Sequence, residues 1–191
     1  MSCKTCSSKS NSSPKGCKNN GTCGTDSCNK FTVFDWLSNM SLPSGQSEFL
    51  YIEIRFKNGR KDYFLNKNSL SLSIGDIAAT QADSGYDIGI VTLTGELVRV
   101  QMDKKKISYL QEESKIIYRK ASQIEIDKWS LFRDKEESIK VKARKFAIDL
   151  RLKMKISDIE YQADGTKITF YYTADERVDF RELIKIYARE F

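Results

Sequence analysis

The 191-residue chain contains no histidine. That absence excludes Ser/His/Asp and Cys/His catalytic arrangements and any mixed Cys/His metal site. Proline is scarce, with only Pro14 and Pro43. No run of about 18 apolar residues occurs, so nothing reads as a membrane-spanning helix and no membrane insertion is expected. The first residues are rich in Lys, Ser and Cys and lack the apolar stretch of a secretory signal. Cysteine is absent from every position after Cys28. Together these absences lead to the expectation of a cytoplasmic protein whose thiols stay reduced.

The residues that are present suit a folded body. Hydrophobic residues make up 40% and charged residues 30%, a balance typical of globular domains. The net charge is +6, but residues 1–30 hold five lysines and a single acid, so +4 of it lies there. The body carries only +2, and global charge is therefore weak evidence for a nucleic-acid partner.

All five cysteines, Cys3, Cys6, Cys17, Cys23 and Cys28, fall in one arm with spacing C-x2-C-x10-C-x5-C-x4-C. Thiolate pairs two to four residues apart can reach one metal ion together, so Cys3/Cys6 and Cys23/Cys28 fit a zinc knuckle. Alternatively, Cys17, Cys23 and Cys28 with one further ligand could hold an iron–sulfur cluster. A third alternative is an arm without metal. Residues 1–30 have almost no apolar side chains, so the arm is expected to be disordered unless a metal staples it. Residues 31–45 follow as a docking segment and linker, with Phe31, Phe34, Trp36, Leu37 and Met40 ahead of Pro43 and Gly45.

The body reads as α+β. From residue 46 to 110 the period is two, with turns at Asn58-Gly59, Gly75-Asp76, Gly85 and Gly95. This predicts five short strands in a small bent antiparallel sheet or barrel, "GELVRVQM" being the last of them. From 111 to 191 the pattern is helix–strand–strand–helix. Trp129, Phe132, Ile139, Ala143, Phe146 and Leu150 repeat at helical spacing over 122–152. "MKISDIEYQ" and "KITFYYTAD" flank an Asp164-Gly165 turn. In "VDFRELIKIYAREF", Asp179 with Glu182 fits a capping box, and Val178 with Leu183 a hydrophobic staple. A lone hairpin is a marginal sheet, so either a further strand or the first half is expected to complete it.

Two polar clusters are candidate contact sites. In "KVKARKFAIDLRLKMK", Lys140, Arg144, Arg151 and Lys155 fall within about 60° of one another on a helix, a flank that could meet RNA phosphates or simply face solvent. In "DERVDFREL", Arg177, Asp179 and Arg181 suit ion pairs or docking of a partner better than acid–base chemistry.

The segments "GDIAATQADSGYDIGIV", "IYRKAS", "MKISDIEY" and "KITFYYTADERVDFRELIK" resemble the bacterial RicT/YaaT family, which carries the polymerase-suppressor-type (PSP-one) C-terminal domain. The resemblance covers about residues 49–191. It implies a non-enzymatic cytoplasmic adaptor that joins small helical partner proteins in an iron–sulfur-containing complex. That complex acts with an RNase Y-type endoribonuclease in mRNA processing and developmental regulation. Family members usually continue past "REF" into a strand and a Cys-rich segment. The resemblance therefore implies either a truncated chain or reliance on the amino-terminal cysteines, and it assigns no ligand by position.

Overall fold

"YIEIR", buried along its whole length, and "KDYFL", buried over its last three residues, form the first hairpin in this computed structural model, which describes residues 48–107 and 114–191. The Cys-rich arm, its five cysteines and the 31–45 segment lie outside the described residues. β1 (Tyr51–Arg55) pairs antiparallel with β2 (Lys61–Leu65). Between them Asn58 and Gly59 adopt φ of 58° and 72°, the left-handed conformation that these two residue types tolerate. β3 (Ile77–Gln81) and β4 (Tyr86–Leu93) add a second antiparallel pair.

The predicted strand "GELVRVQM" is instead a helix, α1 (Glu96–Lys104). Its apparent alternation misled because Leu97, Val98 and Met102 share one helical face and are buried, whereas Val100 is exposed. That face covers Tyr51, Tyr63, Leu65 and Leu93 on one side of the sheet.

The fifth strand comes later in the chain. β5 (Ile117–Lys120) pairs with β3, giving the order β2-β1-β4-β3-β5. A parallel bridge from Leu65 to Ile116 brings the outer end of β2 against the start of β5. The sheet thus curls toward closure, as expected of a bent sheet or barrel. Ile52, Ile54, Phe56, Phe64, Ala78, Val91 and Ile117 pack together within it. The β5 residues lie in the 111–191 stretch, so the two halves of the chain interleave.

α2 (Gln123–Asp149) starts at a complete capping box: Ser122 Oγ accepts from the Glu125 amide, and the Glu125 carboxylate accepts from the Ser122 amide at 2.9 Å. The helix lies against β6 (Lys155–Tyr161), which pairs antiparallel with β7 (Ile168–Thr173). α3 (Arg181–Glu190) completes the group. Ala143, Ala147, Ile156, Ile159, Leu183 and Tyr187 form its core, and the Tyr187 hydroxyl donates to Ala143 O at 2.8 Å.

The capping box expected at α3 does not form. Phe180 occupies the N-cap without a side-chain bond, and Glu182 pairs with Lys185 at 2.8 Å. Asp179 sits one residue too early, accepting from the Arg181 amide at 3.1 Å. β6 and β7 remain a two-stranded sheet. It is supported by the helices beneath it and by polar contacts to the first sheet.

Gly89 marks the tightest strand contact. A Cβ there would lie 2.4 Å from Ile54 Cγ2 and 3.0 Å from both Arg55 O and the Phe56 ring. Gly89→Ala is expected to lower unfolding free energy by about 1–3 kcal/mol through overpacking between β1 and β4. Urea unfolding checks this, and an unchanged midpoint would contradict it.

Candidate functional site

The turn "KNGR" does more than reverse the chain. It projects Lys57 and Arg60 out of the first sheet toward carboxylates on α2, β6 and β4. The Lys57 ammonium donates to Glu136 Oε2 at 2.6 Å and to Ile159 O, and lies 3.0 Å from Asp158 Oδ2. Beside it, Asn58 Nδ2 donates to Asp158 Oδ2 at 2.7 Å. Glu136 also accepts the Tyr161 amide at 2.9 Å through its other oxygen. The Lys57 and Glu136 side chains are only 10% and 6% exposed. Two groups on β6 that face away from β7, Ile159 O and Tyr161 N–H, are thereby satisfied by side chains rather than by another strand.

Arg60 forms the second limb. Its Nη2 is 3.2 Å from Asp87 Oδ2 and 3.1 Å from Glu160 Oε1, and its guanidinium lies 4.1 Å over the Phe56 ring. Tyr171 donates to the other Glu160 oxygen at 2.5 Å. A third limb joins the "SGYD" loop to the β6–β7 turn. The Gln162 amide donates to Ser84 O and to Tyr86 O, and Asp87 accepts the Ala163 amide at 3.3 Å. Gly85 has φ +70°, and any Cβ there would strike the Asp164 carboxylate. The close approach therefore requires glycine.

Burial and pairing set these charges against each other. Burial pushes the Glu136 carboxyl up, and the Lys57 and Tyr161 hydrogen bonds offset that only in part. Burial likewise raises Asp87 despite the Ile88 amide and Arg60. Asp158 is also raised by burial, but Asn58 and Lys57 outweigh it and hold the group below the usual carboxylate range. Burial together with the Glu160 hydrogen bond pushes the Tyr171 phenol up to about 12, so it stays a donor.

Between the sheets lies a cleft of about 250 Å³. Arg60, Asp87, Glu160 and Tyr171 line it together with Lys115, Lys167 and Asp83, and Lys115 pairs with Asp83 at 2.9 Å. The arrangement is a set of compensated ion pairs that joins two sheets. It offers positioned charge rather than an activated nucleophile.

The basic flank expected on α2 is divided. Lys140 pairs with Glu137, and Arg144 donates through Nε to Ile156 O at 2.8 Å and through Nη2 to Ser157 O at 3.4 Å. Arg151 and Lys155 are exposed at the helix end and the start of β6. Of the "DERVDFREL" residues, Asp179 and Arg181 pair at 2.8 Å. Both line a shallow groove with Leu150, Leu152, Leu183 and Ile184, while Arg177 is exposed before it. Sequence reasoning missed the Lys57–Glu136–Asp158 cluster. Its one legible signal is Glu136, a carboxylate at helical spacing between Phe132 and Ile139 on the buried stripe.

Residues 115–191 match the family model described as the PSP1 C-terminal conserved region. Over 144 residues the chain is 28% identical to the stage 0 sporulation protein YaaT of Bacillus subtilis, covering 73% of this chain and 48% of YaaT. Over 175 residues it is 29% identical to an uncharacterized protein of Schizosaccharomyces pombe, covering 76% of this chain and 23% of that protein. A 35-residue stretch is 54% identical to protein PSP1 of Saccharomyces cerevisiae, 18% of this chain and 4% of that one. The chain thus spans about half of YaaT and about a quarter of the fission-yeast protein. No solved structure matches. Glu136, Asp158 and Glu160 lie within the matched family region, and Lys57 and Arg60 reach it from outside.

Lys57→Met leaves the buried Glu136 and the partly buried Asp158 without their cation and is expected to cost about 3–5 kcal/mol at neutral pH. Without Lys57, the folded-state pKa of Glu136 rises further above its unfolded value. The stability lost in the variant is then partly regained as pH falls through that raised pKa, because the folded state takes up the proton. Urea unfolding of both proteins at pH 8 and pH 5 should show the smaller difference at pH 5. A larger difference at pH 5 would contradict the assignment.

Proposed function

We propose that this chain, which is similar to YaaT and matches the PSP1 C-terminal conserved region over residues 115–191, is a regulatory adaptor that works by assembly rather than by catalysis. The observation that carries the proposal is similarity to a sporulation protein along 73% of this chain, well beyond the family region itself. In this reading the adaptor acts in the cytoplasm, binds small helical proteins, and directs an RNase Y-type endoribonuclease to its transcripts. The groove bearing Asp179 and Arg181 supports the docking part of the proposal. Its apolar floor and paired rim charges are a partner surface in type.

The amino-terminal thiols are the donors for a metal centre. A five-thiol set with no histidine anywhere suits an iron–sulfur cluster or a zinc ion, both of which accept four thiolates. The resemblance favours iron–sulfur, with the centre tuning assembly. Direct RNA contact along α2 is the weaker alternative, because Lys140 and Arg144 are engaged by Glu137 and by the Ile156 and Ser157 carbonyls.

Affinity capture of the full chain from native lysate, prepared without oxygen, tests the adaptor. An endoribonuclease and small helical proteins are expected to co-purify. A combined Arg177→Glu, Asp179→Lys and Arg181→Glu variant should lose them with its melting temperature nearly unchanged, since all three residues are exposed. Recovery of neither partner class would refute the adaptor. Visible absorption and metal analysis of the same preparation test the centre. Iron and a cluster spectrum lost on changing Cys17, Cys23 and Cys28 to Ser are expected, and a colourless, metal-free protein would overturn it.

A further inference from the structure

The face of α2 turned away from β6 and α3 carries an unusual amount of exposed apolar surface. Ile124 is 80% exposed, Leu131 60%, Val141 60% and Ile148 72%. Single exposed aliphatic side chains are ordinary on soluble proteins. Their spacing here is not scattered. In a heptad register Ile124, Leu131, Ser138 and Lys145 occupy a positions, and Asp127, Asp134, Val141 and Ile148 occupy d positions. These eight residues form one stripe along 27 helical residues, about 40 Å of helix.

The stripe is its own complement when read in reverse. In antiparallel packing an a residue of one helix shares a layer with a d residue of the other. That places Ile124 opposite Ile148, Leu131 opposite Val141, Asp127 opposite Lys145, and Asp134 opposite Ser138, with the two-fold axis level with residue 136. Apolar residues meet apolar ones, the basic residue meets an acid, and no layer opposes like charges. Parallel pairing would instead set Asp127, Asp134 and Lys145 each against its own copy. Among the flanking residues Lys128 falls opposite Asp149 and Lys135 opposite Lys142. The first contact is favourable, the second is unfavourable, and on the other flank Glu137 meets its own copy beside the axis, so orientation is set by the seam itself.

We infer that α2 pairs antiparallel, through this face, with α2 of a second copy of the chain. The occupant is identified by that apolar and charge complementarity. Half of the layers are polar, so the dimer forms reversibly, and the polar layers fix register at some cost in affinity. The interface is isologous, each copy offering the same surface about a two-fold axis. It lies on the opposite side of α2 from Glu136 and the helix's buried alanines, so pairing leaves the junction between the sheets undisturbed.

Sedimentation equilibrium of the full chain in reducing buffer, from micromolar to millimolar protein, tests the inference. The wild type should pass from monomer to dimer across that range. Asp127→Lys alone and Lys145→Asp alone should each weaken the dimer tenfold or more, and the combined swap should restore it. Leu131→Glu with Val141→Glu should abolish it, with circular dichroism confirming that the fold is retained. A monomer at every concentration would overturn the inference. So would a dimer insensitive to these changes, or a double swap that fails to restore association.

Discussion

The buried ammonium of Lys57 is the contact on which the relative placement of the two sheets depends. It leaves a β-turn of the first sheet and meets Glu136 on α2, together with Asp158 and Ile159 O on β6. Charges at this depth are costly when unpaired. Every group around Lys57 therefore has reason to hold its position, and small displacements are opposed steeply. Arg60 with Asp87 and Glu160, and Gln162 with the Ser84 loop, repeat the same device along the junction. A polar interface of this kind contributes orientation more than net stability. Hydrophobic cohesion comes from the separate cores on either side of it.

This arrangement also explains how a two-stranded sheet survives in the family region. An isolated hairpin is marginal in water. Here α2 and α3 cover its apolar face, and Lys57, Glu136 and Arg144 bind backbone groups of β6 that a neighbouring strand would otherwise satisfy. The first sheet and α2 thus complete the second sheet through side chains rather than through a ladder. β5 strengthens the coupling by belonging to the matched family region while pairing with β3. For the proposed adaptor that mechanical unity is the useful property, since surfaces on α2, on α3 and around the cleft are presented in fixed relation.

Much of this was legible in the residues. Period-two patterning and the Asn58-Gly59 and Asp164-Gly165 turns located both hairpins, and the apolar stripe of α2 placed that helix to within a few residues of its ends. "GELVRVQM" failed because Val98 and Val100 imitate a strand over a few residues, while the deciding face, Leu97 with Val98 and Met102, needs a longer window. The α3 cap failed because Asp179 and Glu182 have the right spacing one position out of phase with the helix start. The Lys57 cluster was hidden for a different reason. It joins residues up to 102 positions apart, and single-sequence periodicity carries no information about which loop meets which helix. Glu136 on a buried stripe announced that a cation was needed without saying which one.

Native-state hydrogen exchange tests the unity of the two sheets most directly. The Tyr161 amide, bonded to Glu136, reports on the second sheet, and the β1 amides paired with β4 report on the first. The account predicts that both exchange through one global opening with the same free energy in the wild type. In Lys57→Met, Tyr161 should exchange through a separate opening of lower free energy while β1 still requires global unfolding. Separate opening of the two sheets in the wild type, or unchanged protection of Tyr161 in the variant, would contradict it.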